Sequence, residues 1–412
     1  MLLQKPAFLL FYHARAAEAS FGEWLGVLWH GLSLDCTVAG YVTAFPVLVA
    51  LASFWIPLSQ RVWRIVLTVY FSLIALVTAA IFAVDLNLYG YWGFRLDGSV
   101  LIYLSDPGEA LASASWGEVL RQNLIMLDYA GAMIWSYRWI LRLFRVEPVP
   151  LRGRIVPTVA TLLIGGLTFL AIRGGVTVAT ANVSKVYFSS NMFLNHAATN
   201  PVFSFLSSVG DNENYAEAYP FFEEERRKTL FEELRGNRPG ADAGTPRLLR
   251  SDRPNVVLLM LESFGRTIMD ETVNGEPVMP NMQRFKREGV WFENFFANSF
   301  RTDRGQVAVL CGFPAQTTMS IMKLPRKSAT LPSLARSLGR EGYRSVFMYG
   351  GDLNFTNQAS FMYSTGWEEL IWQKDMQLDA PTSKWGYADD VVVDHFGDEV
   401  EALGRAEQPF LA

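Results

Sequence analysis

The first half of the chain is dominated by long apolar stretches, and this feature constrains the fold most. A helix needs about 20 apolar residues to cross the hydrocarbon core of a membrane. Residues 32–55, 62–84 and 155–172 meet that requirement. A fourth stretch, residues 120–143, contains charged side chains and is included because the topology requires it. The pattern therefore predicts an α-helical transmembrane bundle of four spans.

Basic residues in the connecting segments orient this bundle, because cytoplasmic loops carry an excess of Lys and Arg. Arg61 and Arg64 lie between the first two spans. The segment before the last span carries Arg142, Arg145, Arg152 and Arg154. Both segments are predicted to be cytoplasmic. The chain is thus expected to be a multi-pass protein of a bacterial inner membrane, with everything after Arg173 on the periplasmic side.

Composition changes along the chain, and charged residues concentrate after about Asn212. The charged fraction of 18% is below the roughly 25% of ordinary soluble domains. The net charge of −4 gives no indication of nucleic-acid binding. The organisation predicted is a transmembrane helical domain (1–173), a membrane-surface linker with helices (174–252) and an α/β domain (253–412).

Two polar residues in the apolar half have both a structural and a functional interpretation. Asp35 lies inside the first span, where a charge is costly and often functional. It is equally consistent with a carboxylate that pairs within the bundle or lies near the interface. His196 stands alone in the linker, and we interpret it as a structural or surface group.

Strand and helix patterns alternate in the last part of the chain. Residues 255–261 form an apolar run typical of a strand buried on both faces of a parallel sheet. Residues 280–288 and 331–341 are predicted helices, and residues 290–296 and 343–349 are predicted strands. This alternation predicts an α/β fold with its active site beyond the carboxyl ends of the strands.

Candidate catalytic residues follow these predicted strands. Glu262 comes directly after the first strand, where a carboxylate is well placed to bind a cation. Residues 303–311 are a predicted helix with Thr302 at its N-terminus, which favours negative charge. A metal-activated threonine there would attack phosphorus. Each residue taken alone also has a structural interpretation. Threonine is a preferred N-cap residue, and a glutamate at the end of a strand is often simply solvated.

Several segments in order carry a family resemblance: NVVLLMLESF, NSFRTDRG with LCGFPAQ, LPSLARSLGREGYRSVFMYGGDLNFTNQASF, and KWGYADD. They resemble the lipoteichoic-acid-synthase-like (phosphoglycerol transferase) branch of the alkaline phosphatase and sulfatase superfamily. The resemblance implies a membrane bundle joined to an extracytoplasmic α/β alkaline-phosphatase-like catalytic domain. It also implies transfer of phosphoglycerol, or a similar phospho-alcohol, from a phospholipid donor to a cell-envelope glycan or lipid acceptor.

The resemblance assigns roles to individual residues. Thr302 matches the family nucleophile and a metal ligand, and Glu262 matches the first metal ligand. The implied cofactor is a divalent metal, Mn²⁺ first, with Mg²⁺ or Zn²⁺ as alternatives. Arg304 is assigned to steadying a phosphate, although a solvated arginine at a helix start fits its position equally well.

The expected substrate-contacting segment departs from the family pattern. The family commonly has Phe-Trp-Asn-Arg, whereas this chain has Phe-Thr-Asn357-Gln358. An arginine at this position binds phosphate through two charged N–H donors. Gln358 is uncharged, so this chain is expected to hold the head group differently or to bind a different head group. Asp352 and Trp385 complete the set of expected substrate-binding residues.

The family supplies a further Asp-His metal pair downstream, which the sequence does not match. Asp394 and His395 lie in an apparent amphipathic helix and are disfavoured as substitutes. Residues 409–412 read as the start of another buried strand. The α/β domain is therefore expected to be incomplete at its C-terminus and to bind metal weakly.

Three alternatives remain open: a phosphoethanolamine transferase, a phosphoesterase, and a non-catalytic lipid-binding relative. Sulfate-ester hydrolysis is disfavoured because the Thr302 segment lacks the Cys/Ser-x-Pro-x-Arg signature. Phosphoethanolamine transferases are usually disulfide-rich, whereas this chain has only Cys36 and Cys311.

Overall fold

The computed structural model describes residues 1–104, 115–145, 150–210, 221–235, 249, 251–316 and 319–412. The chain forms two compact units, Met1–Pro254 and Asn255–Ala412.

The first unit is helical in its described residues. Its α-helices are α1 Gln4–Phe11, α2 His13–Ala16, α3 Phe21–Trp55, α4 Gln60–Trp92, α5 Trp116–Leu143, α6 Ile155–Arg173, α7 Met192–Ala198, α8 Pro201–Ser208 and α9 Glu224–Arg235. Helices α3, α4 and α6 are long and apolar enough to cross a membrane. Helix α5 covers the fourth predicted stretch but is not among these three, so its membrane passage stays a prediction.

Local capping chemistry sets where the long helices begin. The Ser20 side chain accepts a hydrogen bond from the Glu23 backbone N–H, and the Glu23 carboxylate accepts one from the Ser20 backbone N–H, which forms a capping box at the start of α3. Ser115 and Glu118 form the same motif at the start of α5. At its other end, α4 stops at Gly93, whose φ of 66° is readily adopted by glycine.

Helix α3 packs along α6, and α4 packs along α5. The Thr37 hydroxyl donates to the Ala171 carbonyl at 3.0 Å and thereby joins α3 to α6. The Tyr70 hydroxyl donates to the Val42 carbonyl at 2.9 Å and joins α4 to α3. These interhelical hydrogen bonds supplement the packing of apolar surfaces in a lipid environment.

The two polar residues singled out in the apolar half are both buried. Asp35 pairs with Lys5 at 2.6 Å and accepts a hydrogen bond from Asn200 at 2.7 Å, which confirms the interpretation that it pairs within the bundle. His196 is 4% exposed, and its Nδ1 lies 3.1 Å from the Tyr89 hydroxyl. His196 is therefore a structural group of the interior, and the surface alternative is excluded.

The second unit is an α/β domain. Its helices are α10 Arg266–Met269, α11 Pro280–Glu288, α12 Thr302–Cys311, α13 Pro325–Ser328, α14 Leu334–Arg340, α15 Gln358–Ser364 and α16 Asp389–Gly404. Its strands are β1 Thr272–Val273, β2 Glu276–Pro277, β3 Arg344–Tyr349, β4 Glu369–Trp372 and β5 Phe410–Leu411. Strands β1 and β2 form a hairpin, and β4, β3 and β5 form a parallel sheet in that order.

The apolar core of this unit lies around the central strand β3 and the helices beside it. Phe361, Met362, Met322 and Leu353 are fully buried, and Trp367 is 3% exposed. The parallel sheet and its flanking helices confirm the predicted α/β fold. The predicted helices at 280–288 and 331–341 and the strand at 343–349 are present, although the second helix is shorter than expected.

Two predicted strands are wrong in whole or in part. Val256 and Leu258 pair with residues 410–412. Val257 and Leu259 are 46% and 56% exposed, so the run is not buried on both faces as predicted. The stretch 290–296 is not a strand, because a turn at residues 293–294 interrupts it.

Candidate functional site

Thr302 is the first residue of α12, as the sequence predicts. Arg301 precedes the helix in extended conformation, and Gly312 ends it with a φ of 63°. The Thr302 side chain does not serve as the N-cap. Its hydroxyl is therefore available at the helix end where backbone N–H groups point outward and anions are favoured.

Glu262 lies next to Thr302, as the two predicted roles require. The Thr302 hydroxyl donates to Oε1 of Glu262 at 2.5 Å. Glu262 follows the segment that pairs with β5, and the next residue, Ser263, has a φ of 63°. A non-glycine residue in the left-handed region is uncommon and is often found at functional sites. The backbone thus turns sharply directly behind the carboxylate.

The residues after Thr302 anchor the start of α12 in the interior. Asp303 and Arg304 are 4% and 8% exposed. The Ser320 hydroxyl donates to the Asp303 carbonyl at 2.8 Å. The Arg304 guanidinium lies 5.5 Å from the centre of the Phe300 ring. Its burial excludes the solvated interpretation of Arg304, whereas a contact with phosphate remains a prediction.

The segment after β3 holds the predicted substrate-binding residues in an unusual backbone conformation. Asp352 accepts hydrogen bonds from the backbone and side-chain amides of Asn354 at 2.9 and 2.8 Å. Thr356 and Asn357 both have positive φ, at 54° and 66°. Two consecutive non-glycine residues in this region store strain that the surrounding packing must offset.

Asn357 and Gln358 are buried at the end of this segment. The Asn357 amide donates to the Lys323 carbonyl at 3.5 Å. The side-chain oxygens of Asn357 and Gln358 have no hydrogen-bond partner among the described residues. Such buried acceptors are costly unless a water or a ligand donates to them. Backbone strain and unpaired acceptors are features often found where a ligand binds, and substrate contact by Asn357 and Gln358 stays a prediction.

The segment 383–387 packs directly against the two glycines that follow β3. The Tyr387 amide donates to the Gly350 carbonyl at 3.0 Å. A Cβ on Gly386 would lie 2.0 Å from the Gly350 oxygen, so only glycine fits there. This contact places Trp385 beside the loop, with its ring centre 6.0 Å from that of Phe355. Trp385 is 60% exposed, with the Lys384 ammonium 5.0 Å from its ring centre, and its contact with a substrate stays a prediction.

Tyr349, which the sequence analysis missed, connects these groups electrostatically. It is the last residue of β3 and immediately precedes the two glycines. Burial raises its pKa, and the negative charges of Glu262 and Asp352 raise the pKa further, whereas a hydrogen bond with Gln358 opposes the shift. The sequence did contain a signal for Tyr349, because it places a polar side chain at the carboxyl end of a predicted strand, where active sites lie in α/β folds.

The divalent metal implied by the family resemblance requires a set of oxygen donors. Glu262 and Thr302 offer oxygen donors, which suit Mn²⁺ and Mg²⁺. Within the described part of the chain, no three His, Cys, Asp or Glu residues come together as a metal site. Asp394 and His395 lie on α16 and do not join Glu262. Two donors fall short of a complete coordination shell.

Known proteins match the region that carries this geometry. The sequence pattern of the family described as Sulfatase matches residues 254–412. These residues form a sulfatase-family domain. A protein named phosphoglycerol transferase I from Xanthomonas campestris pv. campestris (strain ATCC 33913) is 35% identical over 172 residues. The match confirms the resemblance to the phosphoglycerol transferase branch of the superfamily.

The similarity to these relatives is partial. The alignment with the Xanthomonas protein covers 39% of this chain and 24% of the relative. A phosphoglycerol transferase I from Salmonella paratyphi B is 27% identical over 165 residues, which cover 38% of this chain and 22% of the relative. The chain thus spans about a quarter of the length of the curated relatives it matches.

A solved structure of an alkaline phosphatase superfamily protein from Vibrio parahaemolyticus is similar as well. It is 29% identical, with 40% of each chain covered and a TM-score of 0.36.

Proposed function

We propose that this sulfatase-family domain transfers phosphoglycerol, or a similar phospho-alcohol head group, from a phospholipid to a cell-envelope acceptor. The observation that carries the proposal is the contact of 2.5 Å between the Thr302 hydroxyl and the Glu262 carboxylate at the start of α12. The similarity to proteins named phosphoglycerol transferase I supports the choice of head group. Three membrane-length apolar helices in the same chain are consistent with a lipid donor.

The first half-reaction forms a bond between Thr302 Oγ1 and phosphorus and breaks the bond from phosphorus to the diacylglycerol oxygen. The Thr302 proton passes to Glu262, the nearest carboxylate, and the diacylglycerol oxygen takes up a proton as it leaves. In the second half-reaction an acceptor hydroxyl attacks phosphorus and the bond from phosphorus to Thr302 Oγ1 breaks. The acceptor's proton passes by way of Glu262 to Thr302 Oγ1, which restores the threonine hydroxyl. The N-terminus of α12 stabilises negative charge on the phosphoryl oxygens in both steps.

Other residues of the site hold the head group. Arg304, two residues after Thr302 on α12, neutralises charge on the phosphate in this proposal, and the unpaired oxygens of Asn357 and Gln358 accept hydrogen bonds from hydroxyls of the head group. A neutral Gln358 in place of an arginine favours an uncharged polyol over a second phosphate at this position. Asp352 and Trp385 border the same loop, and Trp385 offers an exposed aromatic face.

The divalent cation belongs to the proposal, with Mn²⁺ expected and Glu262 and Thr302 as two of its ligands. When bound, such an ion would polarise the phosphoryl group. The inner membrane is the proposed location, with the sulfatase-family domain in the periplasm. The basic residues in the first turns of α4 and those that precede α6 support this orientation.

The proposal is tested by trapping the covalent intermediate on the full chain. The protein is incubated in vesicles with Mn²⁺ and phosphatidylglycerol that carries a labelled head group, and its intact mass is measured. We expect a phosphoglycerol adduct on the wild type and on the control Thr330→Ala, whose hydroxyl is exposed elsewhere in the unit. Thr302→Ala should carry no adduct.

Other outcomes would replace the proposal with one of its alternatives. An adduct formed only with phosphatidylethanolamine would identify a phosphoethanolamine transferase, and release of free glycerol phosphate without an acceptor would identify a phosphoesterase. If no adduct forms with any head group although Mn²⁺ is shown to bind, the protein would be a non-catalytic lipid-binding relative.

A further inference from the structure

The helical unit has a surface groove formed by residues far in sequence from the sulfatase-family domain. Both charged and apolar side chains line it. It encloses about 490 Å³ at the beginning of α4. Its lining residues are Gln60, Arg61, Arg64, Ile65, Thr68 and Val69. Polar and cationic groups occupy its first turn, and apolar groups follow from Ile65 onward.

Hydrogen bonds to the end of α5 fix the polar end of the groove. The Gln60 amide donates to the Phe144 carbonyl at 3.1 Å, and an Arg64 Nη donates to the same carbonyl at 3.3 Å. Arg61 and Arg64 are three residues apart on a helix and therefore project from the same side. The groove is thus held by contacts between two helices.

The charge of the groove is unbalanced. Its six lining residues include no carboxylate. Among the described residues, neither Arg61 nor Arg64 forms an ion pair. A guanidinium presents a planar fork of donors that matches the oxygens of a phosphate. Two such groups on one side of a helix favour an anionic ligand with a phosphate group.

The apolar end of the groove continues as a stripe along α4. Ile65, Val69 and Leu73 are spaced four residues apart and are 54%, 64% and 59% exposed. This spacing places the three side chains on one face of the helix. A ligand with a phosphate at the arginines and a hydrocarbon chain along this stripe would satisfy both halves of the surface.

We propose that this groove binds the head group of an anionic phospholipid, with Arg61 and Arg64 on its phosphate and an acyl chain along Ile65, Val69 and Leu73. Because arginine-rich ends of membrane helices face the cytoplasm, the lipid belongs to the cytoplasmic leaflet. That leaflet is opposite to the periplasmic side proposed for the catalytic domain. The lipid is therefore a bound structural or regulatory ligand, distinct from the donor substrate.

The test measures which lipid the full chain retains. The protein is placed in nanodiscs with equal amounts of phosphatidylglycerol and phosphatidylcholine, then released and examined by native mass spectrometry. The wild type is expected to retain phosphatidylglycerol preferentially. The double variant Arg61→Gln/Arg64→Gln should lose this preference by about 30-fold, since each arginine near a membrane surface contributes about 1 kcal/mol.

Two controls separate the groove from general charge effects. Arg142→Gln removes an exposed arginine from α5 outside the groove and should reduce the preference by about fivefold at most, the general contribution of one arginine near a membrane surface. Arg61→Lys/Arg64→Lys keeps the charge and should retain most of the preference. Equal loss in Arg142→Gln, or an unchanged preference in the double glutamine variant, would overturn the proposal.

A measurement on the wild type alone covers the case in which the glutamine variant fails to fold. Exposed charges are screened by salt, so the preference for phosphatidylglycerol should decline steadily as ionic strength increases. A preference that does not respond to salt, or equal retention of both lipids at low salt, would contradict an arginine-based head-group site.

Discussion

The hydroxyl of Thr302 and the carboxylate of Glu262 lie 2.5 Å apart, although forty residues separate them in the sequence. One begins a helix, and the other follows a segment that pairs with the edge of the parallel sheet. Glu262 is exposed to solvent, so the contact is not required to satisfy a buried group. Under the proposed function, we therefore expect this contact to matter for catalysis more than for stability.

Glu262→Gln is expected to reduce head-group transfer by about 10²- to 10⁴-fold, the usual contribution of a positioned proton acceptor. The amide keeps the size of the side chain but accepts no proton and is a poorer metal ligand. Thermal stability should be unchanged because the side chain is exposed. The measurement is the rate of labelled head-group transfer, with the exposed Glu271→Gln as control. A Glu262→Gln enzyme as fast as that control would remove Glu262 from the mechanism.

The elements of the α/β domain that the sequence predicted well are those with local causes. Helix α12 begins at Thr302 and ends at Gly312, and the residues that set these two ends are close neighbours in the sequence. The strand at Arg344–Tyr349 is an apolar run closed by two glycines. The membrane-length helices are equally local, since length and hydropathy suffice to predict them.

The wrong predictions depend on contacts between residues that are far apart in the sequence. An apolar run such as 290–296 is a strand only if another strand pairs with it, and no sequence pattern specifies that partner. The pairing of Asp35 with Lys5 and Asn200 could not be read from the sequence for the same reason. The role of Tyr349 likewise depends on carboxylates that approach from other segments.

The buried ion pair between Lys5 and Asp35 should contribute strongly to the stability of the helical unit. Both side chains are almost inaccessible, and a Lys5→Met substitution would leave the carboxylate charged and unpaired in an apolar interior. Removing one partner of such a pair typically costs about 3–5 kcal/mol. The midpoint of thermal unfolding in detergent should fall clearly for Lys5→Met.

The double variant Lys5→Met/Asp35→Leu provides the decisive comparison, because replacing both charges with apolar groups is often neutral or stabilising. We expect it to recover most of the lost stability. Lys228→Met, which removes a solvent-exposed ion pair of α9, should change the unfolding midpoint little. If the single and double variants were equally destabilised, packing rather than charge pairing would be the important contribution of Lys5.

Gly386 and Gly397 should respond in opposite directions to substitution by alanine. At Gly386 the φ is 111° and a Cβ would lie 2.0 Å from the Gly350 oxygen, so alanine must displace the loop that carries Trp385. Gly397 lies within α16 with nothing within 4 Å of a Cβ. Alanine there should stabilise the protein by up to about 1 kcal/mol through helix propensity. Thermal unfolding of both variants checks the prediction, and a stable Gly386→Ala would show that the loop contact is not rigid.

His196 should make the stability of the helical unit dependent on pH. Burial, together with the positive charges of Arg95 and Arg15, lowers its pKa from 6.5 to about 3. The unfolded chain therefore binds a proton between these values that the folded protein does not bind. Its contribution to stability is complete above about pH 6.5 and declines as the pH falls toward about 3, by at most about 1.4 kcal/mol per pH unit.

This dependence is measured as the unfolding midpoint in detergent at about pH 7 and at about pH 5. Carboxylates also titrate at the lower end of this range, so the wild type must be compared with His196→Gln, which has no titrating group at this position. We expect the glutamine variant to be less stable at pH 7, because the buried contact with Tyr89 is altered, but to lose less stability between the two pH values. Parallel pH profiles for the two proteins would contradict the prediction and would show that the folded protein also binds the proton at His196.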